Sequence, residues 1–312
     1  MKVPNALMSA VVLAVLALLA SCAKDVSQDD SSGGATDTTP TVYTVNYPLQ
    51  YFAERIGANI LEVEFPAPPD VDPAFWMPDL ETISSYQSAD LIILNGATYA
   101  KWIDKVSLPE SKLIFTSDGF EDEWIPVEGA VTHTHGPGGE HSHEGTAFTT
   151  WLDPTLAIWQ ADAIRQAFAV EWPDHAAEFQ TGFESLENDL MQLDRGMQQA
   201  AAMNSDMSLL ASHPVYQYLA RKYHLNLRSV EWEPDEVPSA GMWRDLQGML
   251  RDQPARWMLW EDTPLQETAR QLRDLGVEPV VFDQCGNRPS DGDYLSVMLE
   301  NVARLEAVFR GG

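Results

Sequence analysis

The sequence predicts an α/β protein of two lobes, each with a mostly parallel sheet flanked by helices, joined by one long rigid helix. Short apolar runs that suit strands alternate with stretches in which apolar residues recur at helical spacing. One helical stretch starts near Pro173 and runs for about thirty residues, a rod of about 45 Å. The predicted boundaries are 42–172 for the N-terminal lobe, 173–204 for the linking helix and 205–312 for the C-terminal lobe.

The N-terminal lobe opens with a strand and an amphipathic helix in TVYTVNYPLQYFAERIGAN, followed by the strand ILEVEFP. A helix is predicted over residues 80–87. The run ADLIILNG after it is short and apolar enough for a strand buried on both faces. SKLIFTS and IPVEGAVTH add two strands. Asp153 and Pro154 then begin a helix, because Asp caps helix N termini and Pro is tolerated in the first turn.

The C-terminal lobe repeats the alternation after the linking helix. Its predicted strands are MSLLASHP, LRSVEWEP, ARWMLWED and VEPVVFDQ. Its predicted helices are VYQYLARKYH, AGMWRDLQGMLRDQ, PLQETARQLRDLG and the closing YLSVMLENVARLEAVFR. Strands that alternate with helices favour a second parallel sheet.

The N terminus indicates export and lipid attachment. Residues 6–20 are apolar apart from Ser9, and the run ends in LASC at Cys22, as in a lipobox whose cysteine is acylated. An ordinary signal peptide with a nearby cysteine is the alternative. Residues 1–21 are therefore a predicted signal peptide, and the polar residues 22–41 a disordered tether. We expect a protein anchored in the cell envelope by its lipid, facing the periplasm in a diderm bacterium.

Charge and cysteine content exclude several classes of function. With 19 basic and 47 acidic residues, the formal charge of −28 argues against nucleic acid as a partner and against direct adhesion to anionic lipid. Only Cys285 remains if Cys22 carries lipid, so no intramolecular disulfide is expected. The sequence has no Gly-x-Ser-x-Gly elbow, no phosphate-binding glycine loop and no His-Glu-x-x-His motif, which argues against an enzyme.

A histidine-rich segment, residues 131–145, lies directly before the Trp-Leu-Asp-Pro that starts a helix. It holds four of the seven histidines of the chain among several glycines. Neutral imidazole suits zinc, copper and nickel better than calcium or magnesium. The segment therefore predicts transition-metal binding by its four histidines: His133, His135, His141 and His143.

The order of these segments resembles the metal-specific solute-binding proteins of ABC importers, the zinc/manganese class, over about residues 42–310. The local matches are ADLIILNGATYAKWIDK, the histidine-rich loop before WLDP, ASHPVYQYLARKY, EPDEVPS and FDQCG. The resemblance implies a monomeric receptor that binds a metal between its lobes and passes it to an ABC permease. Zn(II) is the expected metal, with Mn(II) or copper as alternatives.

The resemblance also implies a metal site of three histidines and one carboxylate. His213, in a Ser-His-Pro turn, and Asp283, after the last strand, match two of these positions. Ala74 and Thr149 occupy the other two, both in the N-terminal lobe. Alanine cannot bind metal, and a threonine hydroxyl is a poor ligand for zinc, so two protein ligands would remain for an ion that takes four.

Three interpretations of the histidine-rich segment stay open. Its histidines complete the site with His213 and Asp283, or they collect metal weakly and separately, or they form a polar loop without a role. Cys285 could add a thiolate, although a small buried side chain is its simpler interpretation. EWEPDE lies near the expected cleft, and a solvated turn is its simpler interpretation. The alternative is that one of its acidic residues supplies an oxygen to the metal: Glu231, Glu233, Asp235 or Glu236. The alternative function is a degenerate relative that acts as a metal reservoir, chaperone or surface interaction protein without transport.

Overall fold

The computed structural model describes residues 39–127, 132–134, 140–142 and 145–311, with backbone only for 132–134 and 140–142. The predicted signal peptide, Cys22 and most of the tether lie outside the described residues. Thr39–Gly312 form one compact unit by their contacts. Within the described residues, no helix combines the length and the apolar character that a membrane crossing requires.

The N-terminal sheet has four parallel strands. They are β1 (Thr41–Thr44), β2 (Glu62–Glu64), β3 (Leu91–Leu94) and β4 (Leu113–Phe115), in the order β2-β1-β3-β4. Every residue of β3 is buried, which confirms the prediction that this apolar run lies inside the protein. β4 stands at one edge of the sheet.

Three helices flank this sheet: α1 (Tyr47–Gly57), α2 (Leu80–Ser88) and α3 (Pro154–Glu171). Asp153 caps α3, because its side chain accepts a hydrogen bond from the backbone N–H of Thr155, and Pro154 occupies the first turn. This confirms the helix start that the sequence predicts.

A long helix, α4 (Ala176–Ala201), follows a 3-10 turn at Pro173–His175 and lies inside the predicted linking segment. Its 26 residues span about 39 Å. It packs against α1 and α3 through an apolar stripe at three- and four-residue spacing: Phe179, Phe183, Leu186, Leu190, Leu193 and Met197.

Two short antiparallel ribbons lie apart from the four-stranded sheet. β5 (Pro126–Val127) pairs with β8 (Gly145–Thr146), and β6 (Thr132–Thr134) pairs with β7 (Glu140–Ser142). The register sets His133 opposite His141 in the backbone. The predicted strand IPVEGAVTH thus contributes to two ribbons and not to the parallel sheet. The first ribbon brings together the two ends of the histidine-rich segment.

The C-terminal sheet is also parallel and four-stranded. Its strands are β9 (Ser208–Ala211), β10 (Asn226–Ser229), β11 (Trp257–Trp260) and β12 (Glu278–Val281), in the order β10-β9-β11-β12. The helices are α5 (Gln217–Tyr223), α6 (Ala240–Asp252), α7 (Gln266–Asp274) and α8 (Tyr294–Arg310). α8 packs back onto α4 and α1, so it ties the closing segment to the N-terminal half.

Candidate metal-binding site

The loops that follow the C-terminal strands carry side chains of the types that bind metals in proteins. Ligands in open α/β sheets bind outside the carboxyl ends of the strands. His213 follows β9, Glu231 and Glu233 follow β10, Glu261 follows β11, and Asp283 follows β12. We call these five residues the C-terminal wall.

His213 is 3% exposed, and its Nδ1 lies 3.1 Å from Oε1 of Glu233. Burial by itself lowers the pKa of this imidazole, but a hydrogen bond with Glu233 and the charges of neighbouring glutamates outweigh burial. The pKa of His213 is raised to about 9 as a result. The contributing carboxylates, in decreasing order of charge effect, are Glu261, Glu233 and Glu231. The wall therefore stabilises positive charge at this imidazole.

Asp283 is held in place by its local turn. Its Oδ1 accepts a hydrogen bond from the backbone N–H of Cys285 at 2.6 Å, and Nδ2 of Asn301 donates to its backbone carbonyl at 2.7 Å. Burial raises the pKa of Asp283, because the charged carboxylate loses solvation.

Cys285 is 1% exposed. Its backbone has a φ of 59°, in the left-handed region that residues other than glycine rarely adopt. Burial, followed by the negative charges of Asp283 and Asp293, raises the pKa of its thiol far above the usual value. Metal binding requires the thiolate. This environment argues against Cys285 as a metal ligand and favours the buried-residue interpretation.

Ala74 and Thr149 are both buried, and we call them the N-terminal wall. The backbone N–H of Ala74 donates to Oδ1 of Asp72 at 2.8 Å. The hydroxyl of Thr149 donates to the carbonyl oxygen of Val215 at 2.5 Å, a bond from the N-terminal to the C-terminal half. The threonine side chain at this position therefore serves to join the two halves.

A connected set of buried amides and hydroxyls fixes the loop that carries Thr149. Nε2 of Gln160 donates to Oδ1 of Asn95 at 3.1 Å and to the hydroxyl of Thr116 at 2.9 Å. Thr150 donates to Oε1 of Gln160 at 2.9 Å. Asn95 in turn donates to the carbonyl oxygen of Phe148 at 3.0 Å. Each residue of the loop from 148 to 150 is thus bonded to another element.

Further direct bonds join the two halves close to the site. The indole N–H of Trp151 donates to the carbonyl oxygen of Gln284 at 2.7 Å. Nδ2 of Asn287 donates to the carbonyl oxygens of Pro68 and Val71 at 2.7 and 2.8 Å. These bonds hold the loops after the strands of both sheets against one another.

A small cavity remains between the halves, lined by Thr149 together with Pro214, the neighbour of His213. Its volume of about 20 Å³ is close to what one water molecule needs. Val127 and Thr146, which bound the histidine-rich segment, also line it. These two described residues, one before the segment and one after it, therefore lie beside Thr149.

The structure describes the side chains of some of the sequence-predicted ligands and not of others. His213 and Asp283 both lie on loops after strands of the C-terminal sheet, β9 and β12, and β11 lies between these two strands. His135 and His143 lie outside the described residues, and only the backbone of His133 and His141 is described. In the part of the chain with described side chains, no group of three or more His, Cys, Asp or Glu residues has the arrangement of a metal site.

The expectation of a solvated turn at EWEPDE was wrong for Glu233, which is half-buried and contacts His213. Sequence reasoning also missed Glu261, although it directly follows the apolar strand β11, where a site residue is expected. The reason is that the contact of Glu233 with His213, and the effect of the Glu261 charge on it, depend on the parallel pairing of β9 with β10 and with β11.

Two parallel sheets meet through the loops at their strand ends, and a buried histidine lies there near carboxylates, which fits a solute-binding protein of the metal-binding class. The match over residues 42–308 identifies the family, and the chain belongs to the one described as zinc-uptake complex component A, periplasmic. This is a family of metal-binding solute-binding proteins of ABC transporters and not of enzymes. It confirms the resemblance to that class and the prediction that the chain is not an enzyme.

A relative in sequence and two solved structures of the same fold are similar to this chain. The chain is 23% identical over 276 residues to a protein named zinc-binding lipoprotein AdcA from Streptococcus pneumoniae, and the match covers 85% of this chain and 55% of that one. The Zn(II)-bound ZnuA-like domain of AdcA has the same fold, with a TM-score of 0.74, 20% identity, and 86% of this chain and 98% of that chain covered. The metal-dependent lipoprotein YcdH from Bacillus subtilis gives the same values.

Proposed function

We propose that this chain is a lipid-anchored receptor that binds a transition metal, Zn(II) first, and delivers it to an ABC permease. Family membership supports this role, and AdcA, a relative that this chain matches over about half of that protein's length, is named a zinc-binding lipoprotein. The lipobox at Cys22 and the apolar residues before it support export and anchoring in the cell envelope. Mn(II) and copper remain the alternative cargoes.

The observation that carries this proposal is the buried contact between His213 and Glu233. A histidine that binds metal with one ring nitrogen donates its other N–H to a carboxylate or carbonyl, which fixes the ring and increases its basicity. Because Glu233 engages Nδ1, His213 binds metal through Nε2 in this proposal. Asp283, on the loop after β12 of the same sheet, supplies an oxygen in this proposal.

Metal binding needs further ligands, because Ala74 and Thr149 supply none. Val127, the last residue described before the histidine-rich segment, and Thr146, which follows the segment, line the same cavity as Thr149 and Pro214. We propose that one or more of its imidazoles complete the site on His213 and Asp283; the candidates are His133, His135, His141 and His143.

A second candidate function is a metal reservoir or chaperone that feeds no permease. The bond from Thr149 to Val215 favours it, since the side chain at a family ligand position here joins the two halves. In that case the histidine-rich segment collects metal weakly and by itself.

Metal titration separates the two candidates. Zn(II) competition against a chromophoric chelator is measured for a soluble version starting after Cys22, for the same version lacking residues 131–145, and for His213→Ala. A receptor whose site the segment completes binds one ion tightly, and both changes abolish this site. A collector loses several weak sites with the segment and nothing with His213→Ala.

His224→Ala is the matched control, because His224 is exposed at the end of α5. It removes one imidazole and leaves tight binding unchanged. If no version binds a stoichiometric ion tightly, the receptor proposal fails. Transport is tested in cells by zinc accumulation with full-length chain and with Cys22→Ser, which removes the acylated side chain.

A further inference from the structure

A groove runs along helix α3 in the N-terminal half. Its volume of about 520 Å³ is in the range of pockets that hold ligands. Trp159, Ala163, Ala167 and Val170 line one side, and their spacing of four, four and three residues places them on one face of the helix. None of the residues that line it belongs to the two walls of the metal site.

The two alanines make the floor of a trough with large apolar side chains at its ends. Trp159 is 45% exposed and Val170 is 81% exposed. These two residues are eleven positions apart on α3, which corresponds to about 16 Å along the helix. Protein interiors are close-packed, so an unfilled apolar trough between exposed apolar residues is typical of an interaction site.

The opposite side of the groove comes from the edge of the N-terminal sheet. Ile114 of β4, Thr116 and Phe120 line it. β4 pairs with β3 on one side, and within the described chain no strand pairs with its other side. Edge strands are commonly protected by an outward lysine. The nearest one, Lys112, is bound instead to the carbonyl oxygens of Gln87 and Ala89.

Carboxylates stand at both ends of the groove. Glu171 lines it beside Val170. At the other end Phe120 packs on Trp159 with ring centroids 5.7 Å apart, and the exposed Asp118 and Glu121 flank Phe120. Burial and then the charge of Glu121 raise the pKa of Asp118, as expected where two acids lie close together. No Lys or Arg is among the described residues that line the groove.

We propose that this groove is a docking site for an extended segment of a partner protein that presents apolar side chains flanked by Lys or Arg. About 16 Å accommodates roughly five extended residues at ~3.3 Å each, and alternate side chains of such a segment point the same way. Apolar side chains then fill the trough over Ala163 and Ala167, and basic side chains reach the acidic ends. Extended segments commonly bind beside an open edge strand.

The charge of the chain argues for this occupant over two others. A formal charge of −28 repels a second copy of the chain, and the acidic rim repels an anionic membrane surface. A basic segment is attracted by the negative charge of the chain and by the acidic rim of the groove.

The test uses three capped pentapeptides and isothermal titration calorimetry on the soluble protein. Lys-Leu-Lys-Leu-Lys carries the proposed chemistry, Lys-Ser-Lys-Ser-Lys keeps its charge without apolar side chains, and Glu-Leu-Glu-Leu-Glu reverses the charge. We expect the first peptide to bind at least about tenfold more tightly than either of the others. Equal binding of the two lysine peptides reduces the effect to general charge attraction and overturns the proposal.

The double variant Ala163→Leu/Ala167→Leu fills the trough without removing any hydrogen bond. It is expected to weaken binding of Lys-Leu-Lys-Leu-Lys at least about tenfold, while Glu171→Gln weakens it about threefold. Leu299→Ser, which changes an exposed apolar residue of α8, is the matched control and leaves binding unchanged.

Two other outcomes also overturn the proposal. If the groove binds laurate but not the peptide, its occupant is an acyl chain. If the wild-type protein sediments as a dimer and the filled variant as a monomer, its occupant is a second copy. Circular dichroism melts confirm that each variant folds, and an unchanged Zn(II) titration confirms that the metal site is intact.

Discussion

The two walls of the candidate metal site differ in what their side chains do. In the C-terminal wall a buried histidine stands among carboxylates that raise its pKa to about 9. In the N-terminal wall a methyl group and a hydroxyl bonded to Val215 occupy the corresponding positions, behind a network of buried amides. One wall thus keeps cation-binding chemistry, and the other provides hydrogen bonds that hold the fold. Shared architecture therefore does not imply that corresponding loops of the two halves supply the same chemistry.

The largest effect is expected from restoring the N-terminal wall. Ala74→His/Thr149→His adds two imidazoles at the family ligand positions, and the Zn(II) affinity should rise by at least about 100-fold. Chelator competition measures it, with the exposed Ser84→His as a control that adds an imidazole on α2. An unchanged affinity would show that these positions do not reach a metal held by His213.

Gln160→Leu tests whether the N-terminal wall is chiefly structural. Gln160 is fully buried and bonds Asn95, Thr116 and Thr150, so an apolar replacement leaves their polar groups unsatisfied. We expect a loss of about 3 kcal/mol in the free energy of unfolding. Urea unfolding followed by circular dichroism measures it. A loss below about 1 kcal/mol would contradict the structural role of the network.

Glu233→Ala tests the C-terminal wall. Losing the carboxylate that orients a ligating histidine typically lowers metal affinity 10- to 100-fold, and we expect an effect of about this size. The exposed Glu236→Ala removes a charge from the same turn and is expected to change affinity less than about twofold. Equal effects of the two variants would mean that only net charge matters.

Thr149→Val removes the hydroxyl that bonds the carbonyl oxygen of Val215 and keeps the shape of the side chain. A buried carbonyl left unpaired costs about 1–2 kcal/mol of unfolding free energy. Thr149→Ser keeps the hydroxyl and should cost less than half as much. Urea unfolding of the two variants measures what the hydrogen bond contributes to the free energy of unfolding. Equal losses in the two variants would mean that packing, and not the hydrogen bond, is responsible.

The smallest effect is expected at Cys285. Its burial and raised thiol pKa predict that Cys285→Ser changes Zn(II) affinity less than about twofold. A thiol reagent should label native protein that starts after Cys22 very slowly and label urea-unfolded protein at once. A large loss of metal affinity in Cys285→Ser would restore the thiolate hypothesis.

Much of the fold was predictable because its elements have local causes. The apolar run of β3, the Asp153 cap of α3 and the apolar stripe of α4 are each contained in a few neighbouring residues. IPVEGAVTH was not predictable in the same way. Its alternation suits a strand, but whether a strand joins a parallel sheet or an antiparallel ribbon depends on distant partners, here β8 and β7.

The candidate site was predictable only in part. His213 and Asp283 followed from motifs that resemble a family, as did the replacement by Ala74 and Thr149. Glu233 was only one of four acidic candidates in EWEPDE, and Glu261 was not singled out, because the sequence around an acidic residue gives no sign of what it contacts. The two glutamates act on His213 because β10 and β11 both pair with β9, so the loops after the three strands lie at the same edge of the sheet.

The sequence by itself determined the fold class, the family and the strong negative charge, and it predicted that Ala74 and Thr149 replace two ligands, since these depend on residue identity and local spacing. Only the tertiary structure decided that Glu233 meets His213 inside the protein, that Thr149 bonds across to Val215, and that a trough opens between α3 and the edge strand β4. Those facts depend on which distant segments pack together. Burial and pairing decide whether a carboxylate raises the pKa of a histidine or is merely solvated.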